Sequence, residues 1–151
     1  MDETDQKILE LLQDDARIPN AEIARQVGMA PSAVLERVRK LEERGLVKDY
    51  QARLNPKALG AGLLAFIQVR SEDYTGDSHV SERFCELPEV QEVHDVAGED
   101  CFLLKVRVAD TEALGRLVKG INSIPTVRGT RTTIVLETYK ESSKLPVRRA
   151  K

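Results

Sequence analysis

The apolar positions of this chain follow a helical rhythm over its first third and an alternating rhythm afterwards. Ile8, Leu9, Leu11 and Leu12 form the stripe of a first helix, capped by Asp2 or Thr4 and ended by Ile18-Pro19. Ile23, Ala24 and Val27 give the next segment one apolar face, with Asn20 placed as an N-cap and Gly28 where a helix end needs positive φ. Pro31 suits the first position of a third helix, because its missing N–H is unpaired there in any case. In that helix Val34, Val38 and Leu41 recur at i, i+4 and i+7 and face inward together. The same rotation points Ser32, Ala33, Glu36, Arg37 and Lys40 outward. Two helices across a glycine turn, the second carrying small and basic residues, predict a helix-turn-helix that fits a DNA major groove. A plain helical hairpin has the same apolar spacing.

After Gly45, residues 46–54 read as a short strand pair completing a winged helix-turn-helix. Asn55-Pro56 opens a linker that Gly60 and Gly62 extend. The rhythm then changes. Residues 63–69, 90–96, 101–108 and 127–139 read as strands, the third most clearly, with Phe102, Leu104, Val106 and Val108 alternating with Leu103, Lys105 and Arg107. Residues 77–87 and 111–121 read as helices, with Val80, Phe84 and Leu87 inward in the first and Leu114, Leu117, Val118 and Ile121 in the second, which Asp110 or Thr111 caps. The order β-α-β-β-α-β predicts a ferredoxin-like α+β fold, two helices on one face of an antiparallel sheet. Its other face calls for a partner, such as a second copy of the chain. The expected organisation is a DNA-binding domain over 1–53, a linker over 54–62, a ferredoxin-like domain over 63–140, and a flexible basic tail over 141–151.

Composition narrows the class. Of 151 residues 41% are hydrophobic and 4% aromatic, with no Trp, so the cores must be aliphatic. No apolar run approaches the roughly 18 residues of a membrane span, and the acidic start MDETDQK does not read as a secretory signal. Cys85 and Cys101 lack metal-type spacing and read as reduced thiols of a cytoplasmic protein. The net charge of −2 gives no global argument for nucleic acid, but its distribution does. Residues 1–24 hold seven acids against two bases, whereas 25–53 hold seven bases against four acids. Positive charge therefore gathers on the third helix and just beyond it, where phosphate contacts would be needed.

From Asp5 to Tyr139 the chain resembles the Lrp/AsnC, or feast/famine, transcriptional regulators. The resemblance is carried by DQKILELLQDDARIPNAEIARQVGMAPSAVLERVRKLEERGLVKDYQARLNPKALG, by the turn AGEDCFLLKV and by IPTVRGTRTTIVLE. It implies a winged helix-turn-helix domain, a linker strand and a ferredoxin-like effector domain. It also implies homodimers that assemble further, commonly to octamers, on double-stranded DNA, with a free amino acid bound between dimers. By position, the DNA-reading residues would be Ser32, Ala33, Glu36, Arg37 and Lys40, with Arg37 the first choice for its bidentate guanidinium. The alternative for Arg37 is an ion pair within its own helix, to Glu36 or Glu42. Where the family usually has Ser, Ala30 precedes Pro31, removing a helix cap.

The effector residues implied are Gly98, Glu99 and Asp100 of the turn and Thr130, Thr132 and Thr133 of the last strand. Backbone N–H groups at Gly98 suit a ligand carboxylate, and the two acids suit its ammonium. Equally, the acids read as solvated turn residues and the threonines as plain strand formers. Cys101 stands where the family usually has an acid, which weakens the amino-acid assignment. Some siroheme decarboxylases resemble the same family and would use histidine and arginine near the domain junction. Here only His79 and His94 are available, and His94 and Asp95 alternate to opposite faces of a strand. Without a phosphate loop, metal cluster or nucleophile-base pair, the sequence predicts a regulator and not an enzyme. The alternatives are such a tetrapyrrole enzyme or a sensor that does not bind DNA.

Overall fold

A computed structural model describes residues 1–72 and 79–147, and for His79 the backbone alone. The chain divides into two units, Met1–Arg53 with Glu141–Lys151, and Leu54–Lys140.

The first unit holds helices α1 (Glu3–Asp14), α2 (Asn20–Val27) and α3 (Pro31–Glu43). Asp2 caps α1 in a reciprocal box. Its Oδ1 accepts from the Asp5 backbone N–H at 2.8 Å, while the Asp5 carboxylate accepts from the Asp2 backbone N–H at 3.1 Å. Pro19, not Asn20, holds the cap position of α2, and Asn20 is already helical. The Pro19 carbonyl takes the first helical bonds, from Glu22 and Ile23, so no side-chain cap forms. Gly28 ends α2 at φ 68°, in the left-handed region that glycine enters without a Cβ clash. Ile8, Ile23, Ala24, Val34, Val38 and Leu41 close the core, as the helical rhythm predicts. Leu9, Leu11, Leu12 and Val27 pack partly against it.

The expected wing is not formed. The Leu46 and Val47 amides fold back onto the Leu41 carbonyl, and residues 48–54 belong to no strand. A strand needs a ladder partner, and among the described residues the only sheet lies in the other unit. Residues 141–147, expected as part of a free tail, lie against α1. The Gln13 side chain both accepts from the Leu145 N–H at 2.7 Å and donates to its carbonyl at 3.0 Å. Lys144 Nζ pairs with the Asp14 carboxylate, holding it below its ordinary value. The basic end at Arg148, Arg149 and Lys151 lies outside the described residues.

The second unit runs β1 (Leu63–Ser71), α4 (His79–Cys85), β2 (Val90–Asp95), β3 (Phe102–Val108), α5 (Thr111–Asn122) and β4 (Val127–Ile134). The strands form one antiparallel sheet in the order β2-β3-β1-β4, the ferredoxin-like arrangement. Ala65, Ile67, Val69, Phe102, Leu104, Val106 and Val108 turn one face toward α4 and α5, which contribute Val80, Phe84, Leu114, Leu117 and Ile121. The rings of Phe84 and Phe102 meet edge-on with centroids 5.5 Å apart. Asp110 caps α5 through the Ala113 N–H. The expected start of α4 at 77–78 lies outside the described residues. β4 stops at Ile134, short of the expected end at 139. Ile134 faces Ala65 and the Val135 N–H donates to the Leu64 carbonyl at 2.9 Å, so the ladder ends at the start of β1.

Candidate nucleic-acid interface and effector-domain turn

Helix α3 presents its surface as a consequence of its packing. With Val34, Val38 and Leu41 buried, Ser32, Leu35, Glu36, Arg39 and Lys40 stand exposed. Ala30 makes no side-chain cap at the start of α3, in agreement with the missing hydroxyl. Lys40 pairs with Glu36 at 3.6 Å and Arg39 with Glu43 at 2.9 Å. Both are exposed pairs one turn apart on the helix, the kind that contributes little to stability.

Of the five residues expected to read DNA, Ser32, Glu36 and Lys40 share the exposed face, and Ala33 is half-buried. Arg37 is placed differently. Its Nη1 donates to Asp2 Oδ2 at 2.8 Å and to Asp5 Oδ1 at 2.6 Å, tying α3 to the capped start of α1. Neither Glu36 nor Glu42 is its partner, because rotation from Val38 turns it toward α1. The Asp2 carboxyl is held below its ordinary value of 3.8, chiefly by the Asp5 N–H and then by Arg37. The guanidinium is raised in turn by Asp2 and Asp5. Arg37 thus ties α3 to the start of α1. The same exposed face also carries Arg39 and Leu35, which lie outside the five expected residues. Arg39 was legible as a base two residues from Arg37, and Leu35 as an apolar residue off the 34-38-41 stripe.

In the second unit Gly98 adopts φ 141°, a conformation L side chains rarely take, at the turn between β2 and β3. Glu99 is exposed there. The Asp100 carboxylate receives Arg131 Nη2 at 2.5 Å, and Arg131 Nε donates to Gln68 Oε1 at 2.7 Å. Strand register separates the three threonines. Thr130 faces Val69 and Thr132 faces Ile67, both on the helix-covered side, where Asn122 Nδ2 donates to Thr130 Oγ1 at 2.9 Å. Thr133 faces Phe66 and Arg131 faces Gln68 on the open side. The turn therefore meets Arg131, which also holds Gln68, and the threonines do not converge. No sequence spacing links residues 68, 100 and 131, since only strand pairing brings them together.

His94 lies on the open face opposite Leu103, with its Nε2 3.1 Å from Glu92 Oε2. Glu92 also receives Lys105 Nζ at 3.0 Å, and the two partners hold its carboxyl below the ordinary range. Its partner is thus the residue two positions away on the same face, not neighbouring Asp95. The side chain of His79 lies outside the described residues. Among the described residues no helix is long and apolar enough to cross a membrane.

A helix-turn-helix unit joined to a ferredoxin-like domain defines a DNA-binding regulator. The profile of the AsnC-type helix-turn-helix domain matches residues 1–42, and that of the Lrp/AsnC ligand binding domain matches residues 64–145. The chain is 40% identical over 150 residues to the HTH-type transcriptional regulator FL11 of Pyrococcus horikoshii, covering 98% of this chain and 97% of that protein. It is 40% identical over 153 residues to the leucine-responsive regulatory protein of Escherichia coli K12, covering 98% and 92%. The crystal structure of a transcriptional regulator from Neisseria meningitidis in complex with L-Met superposes with a TM-score of 0.89, at 32% identity over 97% of this chain and 96% of that one. The feast or famine regulatory protein of M. tuberculosis complexed with L-methionine superposes at 0.88, with 38% identity over 95% and 97%. The chain belongs to the Lrp/AsnC family of transcriptional regulators. Its full-length relatives are transcriptional regulators, and with them the chain is a regulator and not an enzyme.

Proposed function

We propose that this regulator reads double-stranded DNA with the exposed face of α3, through Ser32, Glu36, Arg39 and Lys40, with Ala33 at its edge. Arg37 acts as a positioning residue in that reading. The observation that carries it is the division of α3 into a buried stripe, one arginine tied to α1 and an otherwise exposed polar face. Two copies related by two-fold symmetry set their recognition helices in successive major grooves, about 34 Å apart.

The ligand is a free amino acid. Two regulators of the same architecture are described in complex with L-methionine, which supports this class. The turn at Gly98, Glu99 and Asp100 offers N–H groups for a carboxylate and acids for an ammonium. Arg131 and Thr133 on the same side of the sheet extend it, while Thr130 and Thr132 stabilise β4. The open sheet face, with Phe66 and Leu103 half-buried among charged neighbours, serves homodimer formation, and dimers assemble further in the cytoplasm. Coupling of about 1 to 3 kcal/mol between sites shifts DNA affinity by about 5- to 150-fold.

Footprinting on the duplex upstream of the protein's own gene tests the first part. Protection repeating about every 10 to 10.5 base pairs is expected, and protection without sequence preference would contradict it. Calorimetric titration with L-methionine and a panel of other amino acids tests the second. Heat of binding that disappears when Asp100 is replaced by Ala is expected, and no binding by any amino acid would overturn it.

A further inference from the structure

Leu35 is 57% exposed on the recognition helix and contributes nothing to the core beneath it, which Val34, Val38 and Leu41 fill. It occupies the fifth of thirteen positions in α3, in the N-terminal half that a helix-turn-helix directs at base edges. Ser32 lies one turn before it and Arg39 one turn after, both exposed, so Leu35 sits inside the polar face. Its isobutyl group neither donates nor accepts a hydrogen bond and cannot hold a phosphate. Among the groups that base pairs present in the major groove, the apolar one is the C5-methyl of thymine.

We propose that Leu35 is a specificity-determining residue that reads a thymine in each half-site, by removing its C5-methyl group from water against the Leu35 side chain. The inference rests on the reading that α3 binds DNA and adds the identity of one base. Ser32 and Arg39 on either side supply hydrogen bonds that fix the helix in the groove, while Leu35 supplies apolar selectivity between them. A purely electrostatic face would bind any sequence. A methyl contact makes one position depend on a single carbon atom.

The test uses the full-length protein. Duplexes are enriched from a random pool, and each thymidine of the enriched sequence is replaced singly by deoxyuridine, which deletes only the methyl group. Fluorescence anisotropy then compares wild type, Leu35→Ala and Leu35→Met, with assembly state checked by light scattering. In wild type, one substitution per half-site is expected to weaken binding by roughly 4-fold, the equivalent of about 0.8 kcal/mol for one methyl group taken out of water. Leu35→Ala should bind the two duplexes equally with assembly unchanged, and Leu35→Met should keep the preference. A wild type indifferent to every replacement, or Leu35→Ala retaining the penalty, would overturn the inference while leaving DNA recognition in place. A Leu35→Ala protein altered in assembly but not in methyl dependence would overturn it too. Failure of any sequence to enrich would instead overturn DNA reading by α3, and this assignment with it.

Discussion

The two units build their sites by different means. In the helical unit, Ser32, Leu35, Glu36, Arg39 and Lys40 lie together because they are three, four, seven and eight positions apart on one helix. In the sheet unit, Asp100, Arg131 and Gln68 lie together because three strands pair in one register. A helix surface is a property of a local stretch of sequence. A sheet surface is a property of pairing, and moving one residue along a strand changes its face. That difference decides how each unit responds to substitution.

The largest effects should come from the cores. Leu41→Ala and Ile67→Ala each remove a fully or nearly fully buried side chain and should destabilise by about 2 to 5 kcal/mol. Hydrogen exchange should place the first loss in α1–α3 and the second in the sheet. Equal loss of protection in both units from either variant would contradict separate cores.

Gly98→Val forces a β-branched residue to φ 141°, a strain of about 1 to 3 kcal/mol. The amino-acid response should vanish while DNA affinity without effector stays unchanged, as binding titrations with and without L-methionine would report. A fully responsive variant would remove the turn from the site.

The contrast between Arg37 and Arg39 sharpens the picture of α3. Arg39→Ala should lower the slope of log affinity against log salt by about 1. Arg37→Ala should leave the slope in place and reduce stability instead. The pH dependence has a definite sign. The Asp2 carboxyl is depressed below 3.8, so its contribution is present above that value and is lost as pH falls through the folded pKa. Acid titration of Arg37→Ala should show a smaller loss over that window. Smallest in scale, Ala30→Ser should restore the cap of α3 and add about 1 kcal/mol to thermal stability.

Much of this was legible in the sequence, and the boundary is physical. Gly28, Pro31 and the 34-38-41 stripe each act locally, so the helices and their buried faces follow from spacing. The alternation of β3 is equally clear because both neighbours of that strand are present in the chain. What escaped depends on distant partners. Arg37 finds Asp2 and Asp5 more than thirty residues away. Residues 46–54 have strand-forming side chains but, among the described residues, no strand to pair with. The threonines of β4 looked equivalent until register put Thr133 on one face and Thr130 and Thr132 on the other. Gln13 grips the Leu145 backbone across 132 positions, which no pattern of apolar residues announces.

The proposed regulator depends above all on the exposed face of α3 reading DNA by sequence. The most direct measurement is fluorescence anisotropy of the full-length protein on its enriched duplex and on a random duplex, across a salt series. Log affinity should fall linearly with log salt on both, with the enriched duplex bound at least about 1,000-fold more tightly, on the order expected of specific sites. Equal affinity for the two duplexes at every salt concentration would contradict it.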